Sequence, residues 1–275
     1  MDYSKETELF GKAIHLIDSW RLQGLWSDAK ELLTGLRPVT ALLGGKAIAV
    51  AHLHLGKILT DEAMFGGQDT FAERSKVLEK ALTLAKPSDD PLLLGDIYDA
   101  IGFSVHVDYL AGDRSEEPEN ELPLFQMGLD LRQQAGALAQ VAESLFHIGL
   151  VYDVIRKDYD TASTYHGHAY QRANKAGAKV TASYAIRHIG FAKLAHQDLA
   201  GAKEDFVKSL ELREATNFVP GIAFALATLA HVEAELENRI TARQQLERAR
   251  RIFETLKAFS HVESIDKQIA ALNGE

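Results

Sequence analysis

Histidine recurs at one position of a repeating pattern in this chain. His15, His54, His147 and His188 each stand two residues before a small or apolar residue, and the 275 residues contain 11 histidines in all. Imidazole titrates near neutral pH and binds divalent metals, so histidines repeated on one face can transfer protons, hold a metal or contact a bound molecule. The structural alternative is that each ring hydrogen-bonds a backbone group or a carboxylate inside the core.

Carboxylates and an arginine accompany these histidines. If the chain is an enzyme, we expect His147, His188, Asp153 and Arg187 to carry acid–base catalysis, because they fall on adjacent repeats within one patch. A metal site that adds Asp153 or Asp99 to the histidines is a further, less favoured alternative. In the structural alternative, Asp99, Asp153 and Arg187 form ion pairs between repeats. No nucleophile motif or phosphate-binding loop accompanies them, so the sequence favours a protein that is not an enzyme and uses no cofactor.

The composition argues against several classes of protein. The chain has no cysteine, so disulfides and thiolate chemistry are excluded, and its formal net charge of −9 argues against a nucleic-acid partner. The first residues lack the pattern of a signal peptide, and the most apolar run, Gly221 to Ala230, is too short to span a bilayer. We therefore expect a cytoplasmic protein without a membrane partner.

The elements that must position these side chains are helices in a repeating arrangement. Between Ala142 and Ala258, one pattern of apolar and small residues occurs three times, with a small residue at Gly149, Gly190 and Ala230. The spacings are 41 and 40 residues. One small residue per period of this length is typical of stacked helix pairs. The same phase continues toward the N-terminus at Gly102, Gly56 and Ile17.

We predict a single array over residues 1–275. Its parts are a divergent first pair at 1–45, two irregular pairs at 46–137 with a polar insert at 112–120, three regular pairs at 138–258 and a cap at 259–275. Pro38 and Gly44-Gly45 are expected to end the first pair. The cap is expected to cover the last apolar face of the array. The insert is either a lid over a binding site or an exposed loop.

The repeat pattern resembles the tetratricopeptide repeat family. The resemblance is carried best by Leu145, Ile148, Gly149, Tyr152, Ala162 and Ala169. The period is about 40 residues where the family's commonest is 34, and the last three units lack the usual proline, as in longer-period bacterial regulators and peptide sensors. The resemblance implies an all-α fold, a right-handed α-α superhelix of about six helix pairs plus a C-terminal capping helix.

In this family the first helix of each pair lines a concave groove, so the resemblance also implies a ligand-binding surface. The residues expected on it are His54, Asp99, Phe103, His106, Phe146, His147, Leu150, Asp153, Tyr184, Arg187, His188, Phe191, Phe224 and His231. Apolar walls with a few polar groups are usual for a binding site.

The expected partner is a protein or peptide of basic or amphipathic character, so that the chain serves as a binding scaffold or signalling module. A small molecule bound in the same groove is the alternative. The family's lysine and asparagine carboxylate clamp is not supported, because histidine, aspartate and phenylalanine hold those positions. A homodimer through the ends or the convex face stays open.

Overall fold

The protein is all-helical wherever its structure is described. The structure, a computed structural model, describes residues 3–112 and 121–273, and in those ranges every regular element is a helix. The predicted all-α class is therefore confirmed. The chain divides into two compact units, which we call the N-terminal unit, Met1–Ser144, and the C-terminal unit, Leu145–Glu275.

The N-terminal unit contains the first three predicted helix pairs and one short additional helix. Its helices are α1 (Ser4–Gln23), α2 (Trp26–Gly35), α3 (Arg37–Leu43), α4 (Gly45–Gly66), α5 (Phe71–Ala85), α6 (Pro91–Ala111) and α7 (Glu121–Gln134). Helix α2, the second helix of the predicted first pair, ends at Gly35, before Pro38, and this proline lies in the first turn of the unpredicted helix α3. A proline at that position loses no helical hydrogen bond, so it begins a helix here.

The C-terminal unit contains the regular repeats. Helix α8 (Leu138–Leu150) begins before it and continues as a π-helical turn at Val151–Ile155. The helices that follow are α9 (Tyr159–Ala176), α10 (Lys179–Ala195), α11 (Leu199–Ala215), α12 (Val219–Glu235), α13 (Arg239–Thr255) and α14 (Phe259–Asn273). Helices α8, α10 and α12 are the first helices of their pairs, and α14 lies at the predicted cap.

The turns of the C-terminal unit recur every 20 residues. Each contains a residue with φ between 52 and 71°, namely Lys157, Gly177, Gln197, Asn217, Glu237 and Lys257. A left-handed residue at a helix C-terminus lets the next backbone N–H reach back to a free carbonyl. The Asp198 N–H accordingly donates to the Lys193 carbonyl at 3.0 Å. This repeated turn fixes where each following helix starts.

The repeated small residue marks the point where the two helices of a pair approach most closely. A Cβ atom built on Gly190 would lie 2.7 Å from the Phe206 ring, and one built on Gly149 would lie 2.6 Å from the His166 ring. Distances this short leave no room for a methyl group. Glycine is therefore required at these crossings by the size of the side chain opposite.

The first pair of the C-terminal unit is one residue longer than the two pairs after it. Thirteen residues lead from Gly149 to Ala162, whereas 12 separate the equivalent positions in each later pair. The extra residue is accommodated in the π-helical turn Val151–Ile155, since a single wide turn inside an α-helix absorbs an insertion. Asp153 lies on this turn.

One stretch of the described chain is long and apolar enough to cross a membrane. It is Leu138–Ile155, with a mean hydropathy of 1.3, and 56% of it is buried within the protein. A single buried stretch of this kind is weak evidence for a membrane span, because the core helices of soluble proteins have the same character.

Candidate functional site

The predicted site histidines of the N-terminal unit have partners within that unit. His54 is buried, and its Nδ1 lies 3.0 Å from Asp18 Oδ1. The buried His106 donates from Nδ1 to Glu121 Oε1 at 3.2 Å and stacks against Phe103, with 6.3 Å between ring centroids. These contacts fit the structural alternative for both histidines.

Asp99 belongs to a buried ionic network around Arg132. The Arg132 guanidinium contacts Asp99 at 2.8 Å, Asp96 at 2.9 Å and Glu143 at 3.0 Å. It also donates to the Gln140 carbonyl at 3.2 Å. Three carboxylates around one guanidinium outweigh its burial and raise the pKa of Arg132 above its usual range. Asp99 is thus neutralised inside the unit.

In the C-terminal unit, the structure brings together Asp153, His188 and a residue not predicted for the site, His166. His188, on α10, donates from Nδ1 to Asp153 Oδ2 at 2.7 Å. His166, on α9, has its Nε2 atom 3.6 Å from the same oxygen, and the two imidazole centroids are 4.9 Å apart. One carboxylate therefore faces two imidazoles.

The charges of this cluster are set by burial and by mutual contact. Burial, opposed by the hydrogen bond to Asp153, lowers the pKa of His188 to about 3, so its ring is neutral at pH 7. Burial alone would raise the pKa of Asp153, but contact with His166 and His188 holds it below its ordinary value. At neutral pH the cluster presents a carboxylate and a neutral His188 imidazole.

A small pocket opens beside the cluster. Its volume is about 120 Å³, and Asp153, His166, His188, Tyr159 and Ser163 are among its lining residues. The pocket is well below the few hundred cubic ångströms of a site for a drug-sized molecule. It has room for a few waters, or for an ion with waters attached.

Phe146, on α8, forms an aromatic wall around the two histidines. Its ring centroid lies 5.4 Å from those of His166, His188 and Tyr184 alike. Phe146 itself is 4% exposed. The ring fixes both imidazoles by packing and excludes water from one side of them.

The remaining predicted residues of the C-terminal unit separate into a buried group and a surface group. His147 and Leu150 are buried on α8, and the His147 ring packs 5.6 Å from that of Phe146. Tyr184, Arg187, Phe191 and Phe224 are half-buried, whereas His231 is exposed. We call the surface group, Tyr184, Arg187, Phe191, Phe224 and His231, the arginine–aromatic face.

Arg187 on the arginine–aromatic face has no carboxylate within salt-bridge distance among the described residues. Its guanidinium stacks 4.5 Å from the Phe191 ring centroid and donates to Thr228 Oγ1 at 3.1 Å. Burial and repulsion from Arg213 lower the pKa of Arg187 to about 9, which still leaves it charged at pH 7.

The four residues expected for catalysis do not all come together. Asp153 and His188 are in contact, but Arg187 packs on Phe191 and donates to Thr228, and His147 packs against Phe146. The acid–base alternative is thus reduced to one carboxylate–imidazole pair. The predicted lid at 112–120 lies, except for Gly112, outside the described residues.

Sequence reasoning missed His166 and Arg213. In other helix pairs, the side chain that packs on the repeated glycine is apolar: Leu78, Phe125 or Phe206. His166 is the polar residue at the equivalent position of its own pair. Arg213 follows Leu210-Glu211-Leu212, and Arg132 follows the similar segment Leu129-Asp130-Leu131. This similarity identifies the two arginines as equivalent, but it does not reveal that their surroundings differ.

No protein-family model matches the chain, and no curated protein matches it by sequence. Solved structures match it in fold. NprR in complex with its cognate peptide NprX has a TM-score of 0.65 at 14% identity, over 99% of this chain and 72% of that one. A Rap protein complexed with Competence and Sporulation Factor has a TM-score of 0.61 at 13% identity, over 94% and 80% of the two chains.

A third match covers nearly all of both chains. BtubC from P. vanneervenii has a TM-score of 0.56 at 15% identity, over 90% of this chain and 92% of that one. Identities this low establish the fold alone. The chain therefore has a tetratricopeptide-repeat-like fold, as its repeat pattern predicted.

Proposed function

We propose that this protein is a peptide-binding module whose arginine–aromatic face takes an extended segment carrying an acidic group. The acidic group lies at Arg187, and apolar side chains of the segment lie against Tyr184, Phe191 and Phe224. Half-buried aromatic rings offer apolar contact area at low cost in side-chain entropy. An arginine offers directional hydrogen bonds to a carboxylate.

The observation that carries this proposal is a comparison of two arginines within the chain. Arg132 and Arg213 each donate to the backbone carbonyl eight residues further on, at 3.2 and 2.6 Å. Arg132 also contacts three carboxylates. Among the described residues, Arg213 has no carboxylate within salt-bridge distance, and its Nε and Nη2 atoms have no hydrogen-bond partner. Both arginines are 1% exposed.

The difference comes from the residues at three equivalent repeat positions. Where the Arg132 network has Asp96, Asp99 and Glu143, the equivalent repeat positions for Arg213 are occupied by Tyr184, Arg187 and Phe224. Arg213 stacks on Tyr184, with 5.0 Å to the ring centroid, and Arg187 adds a second positive charge. Buried charges without a counter-ion are costly, so an anion supplied by a partner is favoured here.

The same contacts argue for an acidic partner over a basic one. The expectation of a basic segment depended on Asp99 and Asp153 as free negative charges. Asp99 is paired with Arg132, and Asp153 accepts a hydrogen bond from His188. The charges left without a partner at this face are positive.

The comparisons support the peptide-binding part of this proposal. NprR, which was solved with a bound peptide, shares its fold with 99% of this chain. Repeat proteins of stacked helices commonly bind extended segments along the faces of their first helices.

Peptide pools of defined charge test the proposal. Fluorescein-labelled octapeptide pools, each with one fixed aromatic residue and either acidic, neutral or basic remaining positions, are titrated against the protein by fluorescence polarisation. We expect the acidic pool to bind best and its affinity to fall at least tenfold in Arg187→Ala. Arg172→Ala removes the same charge from an exposed site on α9 and should change nothing.

The peptide titrations have results that would contradict the proposal and results that would support it. Preference for the basic pool, equal affinity in Arg187→Ala and wild type, or no binding of any pool would overturn the proposal. Arg187→Lys keeps the charge but loses the planar donor pair, so partial retention of binding would support a direct contact. Circular dichroism of each variant reports whether it folds.

A further inference from the structure

His166 occupies a position where the other repeats have an apolar core residue. The side chain over the repeated glycine is Leu78 at Gly56, Phe125 at Gly102 and Phe206 at Gly190, whereas His166 lies over Gly149. His166 is 1% exposed, and neither of its ring nitrogens forms a hydrogen bond. Burying an imidazole without partners costs about 1–3 kcal/mol, so packing alone does not explain this histidine.

The unpartnered ring faces two other metal-binding groups. Asp153, His166 and His188 each offer one ligand atom, and these atoms all lie within 4.8 Å of one another. Asp153 Oδ2 is 2.7 Å from His188 Nδ1 and 3.6 Å from His166 Nε2. In a tetrahedral site with bonds of about 2.0–2.1 Å, ligand atoms are roughly 3.3 Å apart. The two distances to Asp153 Oδ2 differ from this spacing by about 0.6 Å or less, and the widest separation in the group, at most 4.8 Å, would shorten by up to about 1.5 Å on metal binding.

The ligand types suit a transition metal of borderline hardness. Two neutral imidazoles and one carboxylate form a common three-residue set for zinc and for related divalent ions. The carboxylate belongs to the π-helical turn Val151–Ile155, and turns of this kind are frequent at functional sites. The inserted residue in this pair is thus next to a potential ligand.

Space for further ligands is present on one side of the cluster. The pocket of about 120 Å³ touches all three residues and also Tyr159 and Ser163. On the opposite side, Phe146 packs against both imidazoles and holds them in place. A bound ion would therefore keep at least one position open to water or to a small ligand.

We propose that Asp153, His166 and His188 bind one divalent transition-metal ion of the zinc class, with an open coordination position facing the pocket. The metal would take the place of the Nδ1 proton that His188 now donates to Asp153, and that proton would move to Nε2 of the same neutral ring. It would also give a ligand role to His166, whose ring nitrogens form no hydrogen bond with a described residue and whose Nε2 lies 3.6 Å from Asp153 Oδ2. This site adjoins the arginine–aromatic face, because Phe191 also lines the pocket, but the proposal does not depend on peptide binding.

Metal titration of the full chain tests the site. After dialysis against EDTA and removal of the chelator, ZnCl₂ is titrated by calorimetry, with MgCl₂ and CaCl₂ in parallel. We expect one zinc per chain, no comparable heat from magnesium or calcium, and a rise in Tm that EDTA reverses, because a ligand bound to the folded state stabilises it. Cobalt(II) in place of zinc should give visible absorption bands of tetrahedral or five-coordinate type.

His166→Phe is the decisive variant because it installs the residue that the next repeat already has at Phe206. It should fold, and its affinity for zinc should fall at least a hundredfold, as should that of Asp153→Asn. His168→Ala and His196→Ala remove exposed histidines nearby on the chain and should retain the site.

Three results would overturn the proposal. One is the absence of a one-to-one zinc complex in the wild-type protein, and another is unchanged stoichiometric binding in His166→Phe. Loss of binding in His168→Ala or His196→Ala would also contradict it, because the zinc would then be held by surface histidines. Peptide titrations repeated in EDTA report the arginine–aromatic face separately, so the failure of one proposal leaves the other intact.

Discussion

Arg213 holds in its repeat the place that Arg132 holds in an earlier one, yet only Arg132 is surrounded by carboxylates. Both donate to the carbonyl eight residues ahead. Arg132 contacts Asp96, Asp99 and Glu143, whereas Arg213 stacks on the rings of Tyr184 and Phe218. The same scaffold position thus serves as an internal ion network in one unit and as an uncompensated charge in the other.

Replacing each arginine by methionine should therefore change stability by very different amounts. Arg132→Met leaves three carboxylates without their counter-ion and should lower the free energy of unfolding by about 3–5 kcal/mol. Arg213→Met removes a buried charge with no carboxylate and should change it by less than about 1 kcal/mol. Urea denaturation followed by circular dichroism measures both variants. Equal destabilisation would mean that Arg213 has an internal compensation as strong as that of Arg132.

The crossing of α8 and α9 predicts the effect of adding one methyl group. Gly149→Ala places a Cβ against the buried His166 ring, so it should destabilise the C-terminal unit by about 1–3 kcal/mol. Gly167→Ala is the control, because a Cβ there meets nothing within 4 Å and alanine favours the helix. Adding His166→Ala to Gly149→Ala should recover part of the loss. If thermal unfolding gave Gly149→Ala and Gly167→Ala the same Tm, the close approach of residue 149 to the His166 ring would be refuted.

The left-handed turn residues predict simple stabilising substitutions. Gln197 and Glu237 have φ values of 62 and 61°, a conformation that is unfavourable for residues with a Cβ atom. Glycine there removes this strain but adds entropy to the unfolded chain, so we expect a net gain of about 0.5–1 kcal/mol for either change. Gly177→Ala should lose a similar amount. Differential scanning calorimetry should show Tm changes of opposite sign.

His54 predicts how the N-terminal unit responds to pH. Burial, which outweighs the attraction of Asp18, lowers the pKa of His54 below the ordinary value of 6.5, and Lys57 and Arg21 lower it further. The unfolded chain then takes up this proton before the folded chain does. The contribution of His54 to stability is full above pH 6.5 and is lost as pH falls toward the folded pKa, by at most about 1.4 kcal/mol per pH unit.

Both tryptophans, Trp20 and Trp26, lie in the N-terminal unit, so their fluorescence follows its unfolding. Urea denaturation at pH 7, 6 and 5 should show a smaller loss of stability in His54→Gln than in wild type. His168→Gln, at an exposed site of the C-terminal unit, should follow wild type. Identical pH profiles for His54→Gln and wild type would indicate that His54 takes up its proton equally in the folded state.

The sequence predicts the helices well because their boundaries are chemically marked. Pro91 and the polar stretch after Ala111 delimit α6 as observed, and the spacing of small residues gives the helix pairs their correct phase. The short helix α3 is not predicted, because a proline such as Pro38 can follow the end of one helix and still stand in the first turn of the next. Local patterns of this kind need no knowledge of distant contacts.

The candidate sites were only partly predictable, for a physical reason. Asp153 and His188 were chosen by repeat position, but their hydrogen bond joins residues 35 apart in the chain. His166 belongs to a second helix, whose inward side was assumed to be core. Arg213 lacks a counter-ion because three equivalent repeat positions hold residues other than carboxylates. Only the three-dimensional contacts of Arg132 identify those three positions.

The π-helical turn at Val151–Ile155 sets the position of Asp153 as well as the length of its helix pair. The later turns recur at intervals of 20 residues, so the one residue by which this pair exceeds the pairs after it is accommodated before α9 begins. Deleting one residue from Val151–Ile155 would restore the ordinary repeat length and would turn the backbone that carries Asp153 relative to His166 and His188.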